Sequence, residues 1–145
     1  MKQEFVDLGL PSGTLWGKHN VKIANKKHFT HYEISLIEYI TSYKVPSNED
    51  FEELIDLCKW EWKTIGRTKG YKVTGPNGNH IFLPAAGYYD GTSLYNSGAR
   101  GYYWSTKYSS SSNAYFLYFY SSGKSMHYYR RSYGLSIRLI KHKRV

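Results

Sequence analysis

Apolar residues follow two different spacings along this chain, one typical of helices and one typical of strands. Between residues 51 and 58 four apolar side chains fall at i, i+3, i+4 and i+7, which predicts a helix with one buried stripe. Ser47 stands where it can cap this helix, and Glu49 and Asp50 place acids in its first turn. The stripe consists of Phe51, Leu54, Ile55 and Cys58.

A shorter helix is predicted upstream, and two short strands come before it. The segment HYEISLIEYI, residues 31–40, has Ile34, Ile37, Tyr39 and Ile40 near helical spacing. Ahead of it, FVDLGLPSGTLWG indicates a short strand, a Pro-Ser-Gly turn and a second strand that ends near Trp16.

The rest of the chain alternates in the manner of strands. GYKVTG, the turn GPNGN and HIFLPAAG predict a hairpin, which a Gly, Ser and Asn-rich loop over residues 90–101 follows. In the last strand Leu135, Ile137 and Leu139 should form the buried face, with Ser136 and Arg138 opposite. Together the elements predict one α+β domain over residues 1–145. The four further predicted strands are YYWSTKY, AYFLYFY, SMHYY and LSIRLI.

Tyrosine is concentrated in the second half of the sequence. Twelve of the sixteen tyrosines lie after residue 80, where they alternate with twelve serines and with Gly and Asn. Tyrosine supplies a stiff contact area with a polar tip at little rotamer cost, and Ser, Gly and Asn supply adaptable hydrogen bonding. An ordinary strand surface explains some of these residues, because tyrosine favours strands. The mixture as a whole favours a binding surface. Trp60, Trp62 and Trp104 are interpreted as core and scaffold.

The same half carries nearly all of the net positive charge. Residues 81–145 hold nine Lys or Arg and only one acid, Asp90, whereas residues 1–80 are almost balanced. This suits an anionic partner such as an acidic glycan, a polyphosphate or a nucleic acid. Arg130 and Arg131 are candidates for such contacts, with scattered surface charge as the alternative. The final KHKRV is interpreted as a solvated tail.

No arrangement of residues predicts a catalytic or metal site. The chain lacks GxSxG, HExxH and Walker-type patterns, and its six histidines are scattered as surface residues. Cys58, the single cysteine, excludes an internal disulfide and is interpreted as a buried structural thiol. The sequence therefore favours a protein that is not an enzyme and needs no cofactor. No apolar run approaches the roughly 20 residues of a membrane span.

Six segments resemble, in order, the major paralogous domain of Fibrobacter succinogenes, which is also abundant in Bacteroides proteins. The resemblance runs from Phe5 to Ile140 and matches least between Asn25 and Tyr43. It implies a C-type lectin-like fold, with two helices beside twisted, mostly antiparallel sheets and a long loop-rich C-terminal half. The segments are FVDLGLPSGTLW, LIDLCKWEW, GYKVTGPNGNHIFLPAAGYYDG, GYYWST, AYFLYF and RSYGLSIRLI.

The resemblance also extends to the variable proteins of diversity-generating retroelements, which share this fold. It implies that residues 102–138 form a variable ligand-binding region over an unchanged scaffold. The scaffold would consist of Trp104, Leu117, Phe119, Gly134, Ile137 and Arg138. The candidate ligand-binding residues, including two from YYDGTSLYNSG, are Tyr89, Tyr95, Tyr103, Tyr108, Ser110, Ser112, Asn113, Tyr118, Tyr120, His127, Tyr128, Arg130 and Tyr133.

Departures from the resembling families limit what is carried over. C-type lectins bind calcium through acid-containing triplets, and the corresponding segments here, residues 75–77 and 104–106, read Gly-Pro-Asn and Trp-Ser-Thr. Calcium-dependent sugar binding is therefore not expected. The resemblance also implies a relation to formylglycine-generating enzymes. These enzymes need a cysteine pair or a copper site built on cysteines, and Cys58 alone supplies neither.

The function expected from the sequence is recognition of a protein or glycan on a cell surface. The sequence shows no signal peptide, so cytoplasmic synthesis with display on a virion or cell is the expectation, and a signal upstream stays open. Two alternatives remain: a basic, aromatic-rich nucleic-acid-binding domain, and a structural or adhesive surface domain that assembles through its edges.

Overall fold

The chain, described here by a computed structural model over residues 3–142, forms a small α+β domain with two helices and mostly antiparallel sheets. This coarse fold class is as predicted. A single-turn helix at His31–Glu33 precedes the first helix. The elements are β1 Phe5–Asp7, β2 Thr14–Asn20, α1 Ile34–Thr41, α2 Asn48–Leu57, β3 Lys59–Ile65, β4 Thr68–Thr74, β5 His80–Pro84, β6 Tyr88–Asp90, β7 Ser93–Tyr95, β8 Gly101–Tyr108, β9 Asn113–Tyr120, β10 Gly123–Arg130 and β11 Arg138–His142.

The strands form three sheets of three strands and one hairpin. Their orders are β1-β2-β11, β3-β4-β5 and β8-β9-β10, with β6 paired to β7. Pairing within the sheets is antiparallel, and an isolated parallel bridge joins Tyr103 to Ser136. None of the helices within residues 3–142 is long and apolar enough to cross a membrane. The last residues of the predicted KHKRV tail, 143–145, lie outside the described residues.

Helix α2 begins and packs as its sequence predicts. The Ser47 hydroxyl accepts a hydrogen bond from the Asp50 backbone N–H at 3.1 Å, and the Asp50 carboxylate accepts one from the Ser47 N–H at 2.9 Å. This reciprocal arrangement satisfies two donors that the start of a helix otherwise leaves free. Phe51 and Leu54 are fully buried on the inner face.

Two pieces of strand structure were not predicted. The segment KWEWKT lies in β3, which pairs along its whole length with β4, and the expected loop over residues 90–101 contains β7. Both elements have a single strand partner, and β7 is fully exposed, so no buried apolar face marks β7 in the sequence. Asn96, with φ of 59°, turns the chain after β7.

The β8-β9-β10 sheet separates the two hydrophobic clusters of the domain. Leu117 and Phe119 of β9 lie in one cluster, together with Phe51 and Leu54 of α2, on what we call the closed face. Phe116 lies one residue before Leu117 and three before Phe119, so it points to the opposite side of the strand, which we call the open face. AYFLYFY is apolar or aromatic at every position because side chains on both sides of this strand pack into hydrophobic clusters.

Residues 135–140, which lead into and begin β11, are buried on both sides. Leu135, Ile137 and Leu139 are buried as predicted, and Ser136 and Arg138, predicted to lie opposite, are also only 1% exposed. The guanidinium of Arg138 donates to the carbonyl oxygens of Gly17 at 2.9 Å and Phe82 at 2.7 Å, among other acceptors. This buried cation therefore ties β11 to β2 and β5.

Candidate ligand-binding surface

Aromatic side chains from three strands meet on the open face. The strand register places Tyr102 of β8 opposite Tyr118 of β9, with ring centroids 5.3 Å apart. It also places Phe116 opposite His127 of β10, where the two rings stack at 6.3 Å. His127 further makes an edge contact with Tyr118 at 5.1 Å. Because directly opposed residues in an antiparallel pair share a face, these rings form one continuous surface.

The hairpin β6-β7 and the turn before β11 extend this surface. The ring of Tyr88 stacks on Tyr95 at 5.3 Å and on Tyr133 at 5.1 Å, and it makes an edge contact with Tyr102 at 4.9 Å. Tyr133 in turn makes an edge contact with Tyr129 of β10 at 5.2 Å. We call the surface formed by Tyr88, Tyr102, Phe116, Tyr118, His127, Tyr129 and Tyr133 the aromatic cleft.

Two adjoining cavities open along the aromatic cleft. One has a volume of about 160 Å³, and Tyr88, Tyr133 and Arg130 are among its lining residues. The other has a volume of about 350 Å³, and Tyr118, His127 and Arg100 are among its lining residues. Both share Tyr102, Phe116 and Tyr129. A row of stacked rings with open space above it can hold a flat or ring-shaped group by stacking and by hydrogen bonds to the phenols.

The charged groups of the cleft are cationic. The guanidinium of Arg100 lies 5.8 Å from the Tyr118 ring, and that of Arg130 lies 5.9 Å from the Tyr129 ring. Neither arginine forms an ion pair with another of the described residues. Burial raises the pKa of the Tyr102 and Tyr88 phenols, which therefore stay protonated at neutral pH. The cleft thus combines neutral hydrogen-bonding rings with two unpaired positive charges.

Several predicted contact residues lie in the cleft or beside it, whereas others of its residues were missed. Tyr120 adjoins it through a ring contact with Tyr118 at 5.9 Å. Three of the missed residues share a face with the predicted ones only through the register of β8, β9 and β10, which could not be read before the pairing was known. The other two lie in the β6-β7 hairpin and in the segment before β8. Those predicted are Tyr95, Tyr118, Tyr120, His127, Arg130 and Tyr133; those missed are Tyr102, Phe116, Tyr129, Tyr88 and Arg100.

The prediction that Tyr103 lies on the binding surface is wrong. This residue points to the closed face and is completely buried, with its ring stacked on Phe119 at 5.9 Å. Its hydroxyl donates to the carbonyl oxygen of Pro84 at 2.8 Å and accepts from the Asn20 amide at 3.0 Å. Burial raises the pKa of Tyr103 to about 12. Tyr103 is a core residue because its strand neighbours Tyr102 and Trp104 take the open face.

The predicted residues around the β8-β9 turn form a separate group. Ser110 and Ser112 are exposed and lie within hydrogen-bond distance of each other, 3.4 Å, so the turn is ordered by its own side chains. Asn113, half-buried, lines a cavity of about 560 Å³ with Tyr128 and Arg130. Tyr128 is exposed, and its ring lies 5.3 Å from that of Tyr115, which the strand register places on the side of the sheet opposite the cleft. Because Tyr128 stands on the edge strand, it also borders the cleft cavity of about 350 Å³.

Tyr89 belongs to neither of these groups. Its ring makes an edge contact with His28 at 5.0 Å and lines a cavity of about 650 Å³ with Lys26 and Lys27. Lys26 is neutralised by an ion pair with Glu33 at 2.8 Å. Tyr89 therefore does not join the aromatic cleft, although Tyr88 beside it does.

Arg131, a candidate for contact with an anionic partner, is held by interactions within the protein. Its guanidinium lies between the rings of Tyr32 at 4.4 Å and Tyr108 at 4.8 Å. Its Nε donates to Nδ1 of His31 at 3.1 Å. Tyr108, another predicted contact residue, is thus occupied by an internal cation on one side while remaining exposed on the other.

His31 is buried, so the prediction that every histidine lies on the surface is also wrong. Because its Nδ1 accepts from Arg131, its Nε2 carries the proton and donates to the Ser105 carbonyl oxygen at 2.9 Å. Burial, with a smaller contribution from the charge of Arg131, lowers the pKa of His31 to about 4. His31 is therefore neutral at physiological pH, and its ring makes an edge contact with Trp104 at one end of the open face.

The remaining candidate chemistry is structural. Cys58 is half-buried at the end of α2, and burial raises the pKa of its thiol to about 11. Its thiol is thus protonated at neutral pH, as expected of a packing residue. Within residues 3–142 no three His, Cys, Asp or Glu side chains are grouped closely enough to hold a metal ion.

Comparison with known proteins gives a match to a family model. A family model described as a domain of unknown function, DUF8237, matches residues 32–140, and these residues include the whole aromatic cleft. Neither the curated proteins nor the solved structures include a match to this chain.

Proposed function

Since this chain belongs to the DUF8237 family, whose description assigns no activity, we propose a function from its own surface: non-catalytic recognition of a protein or glycan through the aromatic cleft. The observation that carries this proposal is the unbroken series of ring contacts on the open face, bordered by two arginines that form no ion pair with any residue the structure describes. Exposed tyrosine and arginine are the residues that most often dominate binding energy at interfaces.

The separation of core and surface supports this proposal. Tyr95, Tyr120 and Tyr129 are 46%, 42% and 50% exposed, whereas the hydrophobic residues beneath them are almost completely buried. The scaffold thus keeps its packing without these phenols, and the rings are available to a partner at little entropic cost.

The proposal includes a C-type lectin-like arrangement and a diversified ligand-binding region over residues 102–138. In support, seven of the candidate varied residues are exposed, whereas the proposed scaffold residues are buried. Sequencing of sibling genomes tests this part, since identical residues at the exposed positions across siblings would contradict diversification. The seven are Tyr108, Ser110, Ser112, Tyr120, His127, Tyr128 and Arg130.

The ligand-binding experiment compares the native chain with a cleft variant on glycan and cell-surface protein arrays. The double substitution Tyr118→Ala/Tyr129→Ala removes two rings that border both arginines. We expect a bound ligand to lose at least about tenfold in affinity, because truncating an interface anchor typically costs about 2 kcal/mol or more. The matched control is Tyr39→Ala, which removes an 85% exposed phenol of α1 outside the cleft.

Two results would contradict the proposal. One is a double variant that folds normally and keeps native affinity for the array ligand. The other is an equal loss for Tyr39→Ala, which would show that the cleft has no special role. Circular dichroism and thermal unfolding establish that each variant is folded.

Nucleic-acid binding remains an alternative with weaker support from the surface. The positive charge of the second half is partly internal, because Arg138 is buried and Arg131 is held between two tyrosines. Steeply salt-dependent binding of a generic oligonucleotide would favour this alternative, whereas the absence of such binding would favour the cleft.

A further inference from the structure

Strand β10 is an edge of its sheet. Its eight residues pair with β9 from Gly123 opposite Tyr120 to Arg130 opposite Asn113, without a bulge, and no strand of the described part of the chain pairs with its other side. A two-residue turn joins the strands, so Tyr120 and Gly123 exchange hydrogen bonds and every second residue after Gly123 also bonds to β9.

The intervening residues direct their backbone groups away from the sheet. These are Lys124, Met126 and Tyr128, and among residues 3–142 none of their backbone N–H or C=O groups forms a hydrogen bond to another segment. The backbone groups of Arg130 also point away from the sheet, although its carbonyl oxygen accepts a hydrogen bond from the Tyr133 N–H at 3.2 Å. The edge thus offers alternating donors and acceptors over about 20 Å, at roughly 3.3 Å per residue.

Strand β3 provides an instructive comparison, because it is also an edge. It carries Lys59, Glu61 and Lys63 on one side, with Lys59 and Glu61 paired at 4.0 Å. Charges of both signs along an edge oppose the addition of any charged strand and are a common protection against unwanted pairing. Strand β10 has no proline and no acid, and its cations, Lys124 and Arg130, stand near its two ends.

The charge of this region indicates the chemistry of an added strand. No Asp or Glu occurs after Asp90, so β8, β9 and β10 contain no acid at all. Lys124 and Arg130 form no ion pair with another described residue. An acidic strand would meet positive charge at both ends, whereas a second copy of this chain, with its net charge of +9, would meet like charge.

From this geometry we infer that β10 binds an extended acidic segment of a partner protein, which adds to the sheet as a fourth strand. Main-chain hydrogen bonds to Lys124, Met126 and Tyr128 supply affinity, and the two terminal cations select acidic sequences. The inference goes beyond the aromatic cleft, because it requires the strand edge rather than the rings, and either can fail without the other.

The test begins with a library of random heptapeptides selected on the full chain. The inference expects enrichment of acidic, proline-free peptides. One enriched peptide is then synthesised in two forms, or phases, which carry methyl groups on complementary sets of alternate backbone nitrogens. An added strand directs only one set of amides at β10, so one phase should lose at least about tenfold in affinity and the other should stay within about threefold.

A matched pair of protein variants separates the edge from other surfaces. Tyr128→Pro removes an outward N–H and should weaken the peptide at least about tenfold, while proline remains tolerable on an edge strand. Thr64→Pro makes the same change at the outward, exposed position of β3 and should leave affinity within about twofold. The double variant Tyr118→Ala/Tyr129→Ala removes two rings of the aromatic cleft, so it shows whether the peptide binds at the cleft or at the edge of β10.

Four outcomes would overturn the inference. They are a selection that enriches no acidic peptide, equal effects of the two methylation phases, native affinity in a folded Tyr128→Pro, and a self-associated chain whose β10 edges pair with each other. Because the methylated peptides leave the protein unchanged, the test remains decisive even where Tyr128→Pro does not fold.

Discussion

The two faces of the β8-β9-β10 sheet use the same three strands for opposite purposes. On the closed face Leu117 and Phe119 pack against α2, and Tyr103 satisfies its hydroxyl inside the core. On the open face Tyr118 and Tyr129 contact other rings but retain access to water. Strand register therefore decides whether a tyrosine of this sequence lies in the core or on the surface, because adjacent residues of a strand face opposite sides of the sheet.

The largest expected contrast comes from two neighbouring residues of β9. Phe119→Ala should lower the free energy of unfolding by about 3–5 kcal/mol, because it leaves a cavity in the closed cluster. Tyr118→Ala should cost only about 1 kcal/mol, because its ring is half exposed. Urea denaturation measures both. Equal losses would mean that the open face is as much a part of the core as the closed face.

Buried and exposed arginines should differ in the same way as buried and exposed tyrosines. Arg138→Met should lower the free energy of unfolding by about 3 kcal/mol, because the buried carbonyl oxygens of Gly17 and Phe82 lose their donor. Arg130→Met, at an exposed position, should change it by less than about 0.5 kcal/mol. A small effect of the Arg138 substitution in denaturation experiments would show that water can replace the guanidinium.

The end of the open face should respond to pH through His31. Its pKa is about 4 in the folded chain and 6.5 in the unfolded chain, so the unfolded state binds more protons between these values. The contribution of His31 to the free energy of unfolding should therefore be fully present above pH 6.5. It should fall by about 1–3 kcal/mol as the pH falls to 4, and it should stay constant at lower pH.

The substitution His31→Gln isolates this contribution. It should flatten the pH dependence of unfolding between pH 6.5 and 4, and His28, whose pKa burial also lowers, should account for part of the remaining slope. The matched variant His28→Gln should keep the larger part of the slope. If His31→Gln left the pH dependence unchanged, His31 would not be a buried, neutral side chain with a lowered pKa in solution.

The smallest expected contrast separates two adjacent phenols. Tyr103→Phe should cost about 1–2 kcal/mol, because it leaves the Pro84 carbonyl oxygen without its donor. Tyr102→Phe should cost about 0.5 kcal/mol, since the phenol only accepts from Asn96 in an exposed loop. Thermal unfolding of both variants measures the difference. A larger loss of stability for Tyr102→Phe than for Tyr103→Phe would mean that the buried, hydrogen-bonded phenol is that of Tyr102.

Local patterns predicted the elements well where one face is buried and the other exposed. Helix α2 illustrates this, because the cap at Ser47 and the stripe from Phe51 follow from interactions within about ten residues. The hairpin of β4 and β5 is another example, since Gly78 with φ of 89° supplies the turn that GPNGN predicts. Strand β7 gave no such signal, because it buries nothing.

The sequence by itself determined the helices, most strands and a tyrosine-rich, basic half, because these depend on short-range spacing and composition. Only the tertiary structure decided which tyrosines reach water. Register brought Tyr102 and Tyr129 to the cleft and turned Tyr103 into the core, and packing enclosed Arg131 and His31. These outcomes depend on contacts between residues far apart in the chain, and a period of two assigns alternate residues to opposite faces without saying which face will be covered.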